Sequence, residues 1–412
     1  MISVTAEILT IGDEILFGQI LDTNSQWIST ELDKIGIRVV RKTSVGDNRK
    51  DILSAFTEAQ SRAAIILVTG GLGPTNDDIT KSCFCEYFNC GEEMNEEALK
   101  SVTDFFEKRG RELTPMNRSQ ASLPTACKPI QNLYGTAPGM WFEQGDAVFI
   151  SMPGVPFEMK EMMSGSILPQ LKKHFTLPII HHQWIKTVGI GESFLADIIK
   201  DWEAALPSHI KLAYLPSLGE VKLRLTCLAN DLTILQLESE NLVQQILPLI
   251  EEYIYALEDL SFVGAIAKKL VNEQLTIATA ESCTGGFVAH QLTSVGGSSA
   301  YFKGSIVAYH NEVKTQLLDV PVEMLQTHGA VSEEVVRAMA ENVRIKLKSD
   351  IGIACSGVAG PTGGTTEKPV GTVWIAYADK DKTISKKLLL GTLRENNVKL
   401  TCVHLLNMVR KG

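Results

Sequence analysis

The chain has 412 residues, of which 44% are hydrophobic and 21% charged, with a formal net charge of −9. These values are ordinary for a globular protein with real cores and exclude a wholly disordered chain. The acidic balance excludes a broad nucleic-acid-binding face, so a phosphate-bearing ligand would be held by local amides and a few basic side chains.

The opening stretch, MISVTAEILTIGDEIL, has no basic region ahead of its apolar residues and carries Glu7, Asp13 and Glu14, unlike a signal peptide. No run of about 18 apolar residues occurs, so no membrane span is predicted and the expected location is the cytoplasm. The eight cysteines are scattered, as expected of reduced thiols, and Cys83, Cys85 and Cys90 fit no zinc spacing.

Along the chain, VTAEILTI reads as a strand, TNSQWISTELDKIGI as a helix, RVVRKTSV as a strand and KDILSAFTEAQSRA as an amphipathic helix. AIILVTGG is a continuous apolar run, as in a strand buried on both faces. Alternation of this kind predicts a parallel sheet covered by helices. A middle segment follows, with a strand and helix in LPIIHHQWIKTVGIGESFLADIIKDW, a hairpin about Gly219 and the long helix LTILQLESENLVQQILPLIEEYIY. The last segment reads helix (SFVGAIAKKLVNEQ), strand (LTIATAES), glycine turn into helix (CTGGFVAHQLTSV), then helix SEEVVRAMAENVRIKL, strands DIGIACSGVAG, GTVWIAYAD and TISKKLLL, and helix LRENNVKLTCVHLLNMV. No internal repeat or low-complexity linker is present. The predicted division is 1–172, 173–256 and 257–412.

The sharpest pattern in the first segment is VTGGLGPTNDDIT. A buried strand ends in Gly70, Gly71 and Gly73, with a helix predicted after Pro74. Glycines allow close backbone approach, and free amides at a helix start favour phosphate. Asp77 and Asp78 follow at once. Paired acids beside a phosphate site suit a divalent cation, and they also suit a helix first turn. No Gly-Lys-Ser/Thr follows, so this is not a P-loop. Gly12, Asp13 and Glu14 stand at the carboxyl end of the first strand, the edge where open α/β sheets bind ligands.

Taken together, GDEIL with its following DTN, TGGLGPTNDDIT, MNRSQASLP, GTAPGM and PGVPFEM make the first segment resemble the molybdopterin-cofactor-binding fold in its CinA-family version. The resemblance implies an ADP-ribose pyrophosphatase that yields AMP and ribose 5-phosphate and needs a divalent metal (Mg, Mn or Co), helped by potassium. It implies Gly12, Asn24, Gly70, Gly71, Gly73 and Thr75 on the phosphates and substrate. Asp77 and Asp78, with Asp13, Glu14 and Glu158, would stand at the metal.

In the last segment, TAESCTGG places Glu281, Ser282, Thr284, Gly285 and Gly286 in a strand–glycine–helix cradle suited to a phosphate or an oxyanion. GVAGPTGG is a second glycine loop, and Arg394 opens the last helix. Between them lies GSSAYFKGSIVAYHNEVK. Its alternation puts Ser305, Val307 and Tyr309 on one face and Ile306, Ala308 and His310 on the other. Asn311 is the predicted cap of the next helix, with Lys314 in its first turn, where the helix dipole disfavours a cation. That mismatch suggests a base of lowered pKa, as in Ser–Lys dyads. The chemistry alone does not choose among Ser298, Ser299, Ser305, Tyr309 and His310.

AESCTGG, GSSAYFKG, YHNEVK, SGVAGPTGG and KPVGTVW together resemble the CinA C-terminal domain, the nicotinamide mononucleotide deamidase family. The resemblance implies Ser299 as nucleophile, Lys314 as its base and Tyr309 as an orienting or relaying group, with no cofactor. It also implies substrate contacts at Glu281, Ser282, Thr284, Gly285, Gly286, Ser356, Gly357, Gly360 and Arg394. Two departures stand out. Ser356 replaces an expected threonine, and LGTLREN replaces the usual glycine–acid/amide–arginine run around Arg394.

The middle segment resembles the KH-like α+β module of long CinA proteins, but GIGES does not supply the GxxG loop of nucleic-acid-binding KH modules. The expected fold is therefore α/β: a molybdopterin-binding-like parallel-sheet domain, a KH-like linker and a C-terminal α/β deamidase domain. A homodimer without nucleic-acid or membrane partners is the expected state. Two alternatives stay open: one active domain only, or a protein that holds molybdopterin or a nucleotide without turnover.

Overall fold

The computed structural model describes residues 4–75, 78–229 and 232–412. Asp77 therefore lies outside the described residues. The chain divides into two compact units, Met1–Ile180 with Leu228–Leu232, and His181–Cys227 with Thr233–Gly412.

The first unit is built on a six-stranded sheet in the order Arg38–Val45, Thr5–Ile11, Ile65–Thr69, Ala147–Met152, Gly139–Gln144, Lys128–Ile130. The first four strands are parallel. They form the expected parallel sheet, and Gly139–Gln144 then pairs antiparallel with both Ala147–Met152 and Lys128–Ile130 at its edge. The cause is local: only a tight turn at Gly145, φ 59°, separates Gln144 from its partner Ala147, too short for a crossover.

Both faces of the sheet are buried. Leu9, Ile66, Val68 and Phe149 enter one core with Ile52, Phe56 and Phe84. Their chain neighbours Ile8, Ile65, Leu67 and Ile150 enter the other with Ile28, Leu32 and Met159. Alternate residues serve opposite cores, so each strand needs apolar side chains throughout. Glu7 breaks that rule: fully buried, it accepts hydrogen bonds from Arg62 Nε and Nη2, each 2.9 Å, and from Thr43 Oγ1, 2.9 Å.

The helix expected after Pro74 begins only at Thr80. Asp78 is engaged ahead of it, accepting hydrogen bonds from Thr75 N (2.9 Å) and Thr75 Oγ1 (2.5 Å).

The second unit holds two sheets. In the first, Ile210–Ser217 pairs antiparallel with Glu220–Ala229 about Gly219, φ 82°, as the hairpin reading expects. The sheet is completed by Ile179–Val188 and Ile254–Ala256. The second sheet runs Phe302–Val307, Ile277–Glu281, Ile351–Gly357, Thr372–Ala378, Thr383–Leu389. Its first three strands are parallel and its last two antiparallel.

One face of this sheet is lined by Ala278, Ala280, Ala354, Ala376 and Ala378, in the same core as Met339, Ala340 and Val343 of helix Glu333–Lys346. Small side chains let that helix lie close, and at Gly352 a side chain would collide with the Ala340 carbonyl. The other face buries Ile277, Ile353 and Ile375 under helices Phe262–Asn272 and Arg394–Lys411. The middle and last segments pack as one unit for identifiable reasons. Val188 enters the core of Phe262, Lys186 Nζ reaches Asp259 at 2.6 Å, and Arg410 Nη1 and Nη2 donate to Ile254 O and Glu252 O at 3.0 and 2.6 Å.

Two expectations for the serine-rich stretch are corrected. The strand stops at Val307, so Tyr309 and His310 lie beyond it. His310, not Asn311, caps helix Asn311–Leu318: its Nδ1 accepts from Glu312 N at 3.4 Å. Lys314 thus sits one position deeper in the helix than expected.

Candidate functional site

Each unit carries a candidate site, and in each the site lies where strands end in glycine-containing loops. In the first unit the loops after Ile11, Thr69 and Met152 enclose a cleft of about 450 Å³. Of the expected residues, Gly12, Glu14, Asn24, Gly70, Gly71, Gly73, Asp78 and Glu158 line it. Thr75 lines an adjoining space of about 180 Å³. Asp13 is the exception. It turns to the loop after the second strand, exchanging hydrogen bonds with Asp47: Asp13 N donates to Asp47 Oδ2 (3.1 Å) and Asp47 N to Asp13 Oδ1 (3.3 Å).

The acids are placed by missing side chains. Glu14 packs on Gly12, Asp13 on Gly46, Asp78 on Gly73 and Glu158 on Gly135, at positions where a Cβ would have no room. Glu158 is further held by Asn132 Nδ2 at 2.6 Å, while Asn132 Oδ1 accepts from Tyr134 N and Gly135 N. Asn24 Nδ2 donates to Thr69 Oγ1 (3.2 Å) and Gly154 O (2.8 Å), fastening helix Thr23–Lys34 to two of the loops.

Carboxylate oxygens are the right donors for Mg²⁺ or Mn²⁺. Among the described residues, however, no three acidic, histidine or cysteine side chains converge as a metal-binding group. Sequence reasoning overlooked Asp47, Gln120 and Asn132. Asn132 and Gln120 each stand inside a quoted motif, NLYGTAPGM and MNRSQASLP, but a lone amide carries no chemical signature there.

In the second unit the expected cradle after strand Ile277–Glu281 is already filled. Glu281 is buried, and its Oε2 accepts from Gly286 N (3.0 Å), Val288 N (3.0 Å) and Thr284 Oγ1 (2.7 Å). Its Oε1 accepts from Ala289 N (2.8 Å) and Thr279 Oγ1 (3.3 Å). A carboxylate thus caps helix Phe287–Thr293 from below, and the Glu281 oxygens and the Thr284 hydroxyl are engaged within the chain. The turn depends on Gly285 and Gly286, at φ 62° and 99°.

Ser282, at the end of that strand, meets Lys314. The lysine is 1% exposed, and its Nζ donates to Ala308 O at 2.8 Å and lies 3.2 Å from Ser282 Oγ. Burial pulls the Lys314 pKa below the ordinary lysine value, against the opposing pull of the nearby Cys283 and Cys355 thiols. Ser299 stands exposed on the single turn Ser298–Ala300, and among the described residues no hydrogen bond joins it to Lys314 or Tyr309. Tyr309 is brought to Arg394 instead, whose Nη2 donates to Tyr309 Oη at 3.1 Å while Nη1 donates to Gly360 O at 3.0 Å.

Ser356 is buried and donates to Ala330 O at 2.6 Å, so its hydroxyl is spent on the fold. Gly357 packs directly on Thr372 and Val373. The residue missed here is Asn397, wholly buried, whose Nδ2 donates to Ala359 O (2.9 Å) and Gly391 O (2.8 Å) and pins the second glycine loop.

Comparison with known proteins matches this architecture. Residues 260–412 match the family described as the CinA C-terminal domain, residues 7–173 a probable molybdopterin binding domain, and residues 182–256 the damage-inducible protein CinA KH domain. A CinA-like protein of Cytophaga hutchinsonii is 53% identical over 406 residues, spanning 98% of this chain and 97% of its own. One of Flavobacterium psychrophilum is 44% identical over 408 residues, spanning 98% of each. Among solved structures, CinA of Thermoplasma acidophilum aligns with a TM-score of 0.38 at 33% identity, over 42% of this chain and 99% of that one. The chain belongs to the CinA-like family, with a molybdopterin-binding-like domain, a KH-like middle domain and a CinA C-terminal domain in that order.

Proposed function

We propose that this protein is a cytoplasmic, homodimeric, bifunctional hydrolase of pyridine-nucleotide recycling. The second unit hydrolyses the carboxamide of nicotinamide mononucleotide to nicotinate mononucleotide and ammonia. The observation that carries this reading is Lys314, a buried amine of lowered basicity in contact with a serine hydroxyl. A neutral amine can accept a hydroxyl proton, which a solvated ammonium cannot.

In this reading the serine oxygen attacks the carboxamide carbon as its proton passes to Lys314. The proton then goes to the leaving nitrogen, ammonia departs, and water hydrolyses the remaining ester. Arg394, held between Tyr309 and the Gly360 loop, would bind the phosphate. The resemblance gives the attacking oxygen to Ser299. The 3.2 Å contact between Lys314 Nζ and Ser282 Oγ favours a second reading, in which Ser282 attacks.

For the first unit we propose hydrolysis of ADP-ribose to AMP and ribose 5-phosphate. The cleft, its glycine loops and the carboxylates of Glu14, Asp78 and Glu158 along its lining support this reading. A divalent ion (Mg, Mn or Co), aided by potassium, would neutralise the diphosphate charge when bound. Asp78 is tested best as Asp78→Asn, which keeps an acceptor for Thr75. The variant is expected to lose most metal-dependent release of AMP and to keep ammonia release from nicotinamide mononucleotide. An unchanged AMP rate would remove Asp78 from the site.

A further inference from the structure

Helix Thr80–Tyr87 ends in a turn whose meeting side chains are both cysteines. Asn89 stands just past the helix in the left-handed region, φ 48°. Cys90 N donates to Cys85 O at 2.9 Å and Asn89 N to Glu86 O at 3.1 Å, the nested pair of bonds that closes a helix on a left-handed residue. In that turn the third-last helical residue meets the second residue beyond the cap, and the contact is ordinarily apolar. Here those positions hold Cys85 and Cys90.

The backbone thus brings two thiols together across one turn. Cys85 leans over the same segment: its Sγ donates to Gly91 O at 3.9 Å and to Glu92 Oε1 at 3.8 Å, and it shares a hydrogen bond with the Cys90 thiol. Both are half-buried, within reach of a small solute, whereas Cys83 on the same helix is wholly buried in the core. Burial, then the charges of Glu92 and Cys90, push the Cys85 thiol up to about 12, so it stays protonated near neutral pH. Burial pushes Cys127, the next thiol along, up to about 12 as well. That leaves a first attack to Cys90 and a second to Cys85.

We propose that Cys85 and Cys90 are a reversible redox pair, which a hydroperoxide closes into a disulfide. The Cys90 sulfur attacks a peroxide oxygen and the O–O bond breaks. The other oxygen leaves with the Cys90 proton, as water or an alcohol, and Cys90 becomes a sulfenic acid. The Cys85 sulfur then attacks the sulfenic sulfur and the S–O bond breaks. The Cys85 proton passes by Glu92 Oε1 to the departing hydroxide, which leaves as water. The two thiols lose two electrons and the peroxide gains them. An added thiol reopens the bridge by exchange. Closure keeps Cys90 from the sulfinic and sulfonic acids, which such a thiol does not reverse.

The test treats the reduced full chain with hydrogen peroxide, alkylates the free thiols in denaturant and maps the tryptic segment 82–100, which carries Cys83, Cys85 and Cys90. The expected product is a Cys85–Cys90 bridge, two hydrogens lighter than the reduced pair, beside an alkylated Cys83. Dithiothreitol should restore the reduced mass. Cys85→Ser should leave Cys90 as a sulfenic acid that dimedone traps, Cys90→Ser should abolish the bridge, and Cys127→Ser should leave it intact. Three results in the wild type would each overturn the proposal: a bridge from Cys90 to Cys127, a sulfinic acid on Cys90 beside a free Cys85, or all three cysteines of the segment alkylated at peroxide levels that oxidise free glutathione.

Discussion

Lys314 shows how one residue carries two messages. Its position early in a helix is electrostatically poor, and that misfit is visible in the letters alone. What the letters do not give is where the amine goes. It points inward, to Ala308 O and Ser282 Oγ, because the strand that ends at Val307 and the one that ends at Glu281 lie side by side. Burial disfavours the ammonium, so the base-competent neutral amine appears at a lower pH than in an ordinary lysine. Ammonia release should therefore rise with pH along a limb whose midpoint lies below the lysine reference of 10.5. The pH profile of kcat/KM reads that limb directly, since it reports groups of the free enzyme. A midpoint at the ordinary lysine value, or a Lys314→Arg variant with undiminished rate, would contradict the assignment.

At the scale of elements, the strand–turn–helix at 277–293 was legible as an element, while the bonding of its Glu281 was not. Its glycines and helix start were expected to hold a ligand oxyanion, but Glu281 already does that work from within the chain. A buried glutamate at a strand end is not distinguishable from a substrate-facing one until the register of its neighbours is known. Glu281→Ala should lower unfolding stability by about 2–4 kcal/mol, through the lost cap and the stranded amides. Glu281→Gln should also destabilise, because one of the two accepting oxygens becomes a donor facing a donor. Denaturant midpoints test this. An unshifted midpoint with collapsed affinity for nicotinamide mononucleotide would return Glu281 to the substrate.

The same holds for other local details. The helix after Pro74 starts late, beyond an Asp78 that bonds Thr75, a side-chain-to-backbone bond that propensity does not register. His310 takes the cap expected of Asn311 because the strand stops at Val307 and frees the three residues that follow. The antiparallel edge of the first sheet follows from one short turn at Gly145.

At the scale of the molecule, the alternating strands and helices, the hairpin about Gly219 and the order of the three family domains were all readable in sequence. Period and turn chemistry are local properties, and local properties survive in a string of letters. The assembly of the sites was not readable in the same way. Ser282 and Lys314, or Tyr309 and Arg394, meet only through sheet order. The carboxylates of the first unit find their places against glycines distant in the chain, such as Gly46 for Asp13 and Gly135 for Glu158.

The most direct test is ammonia release from nicotinamide mononucleotide by the full chain, with Lys314→Met, Ser299→Ala and Ser282→Ala measured alongside and each variant checked for AMP release from ADP-ribose. The account predicts release by the wild type, loss of about 1,000-fold or more in Lys314→Met and in the variant of the attacking serine, and an intact pyrophosphatase in all three. Loss confined to Ser299→Ala would assign the attack to the exposed turn, and loss confined to Ser282→Ala to the lysine's neighbour. Undiminished release from Lys314→Met would contradict the Ser–Lys mechanism, and no release from a folded wild type would contradict the deamidase itself.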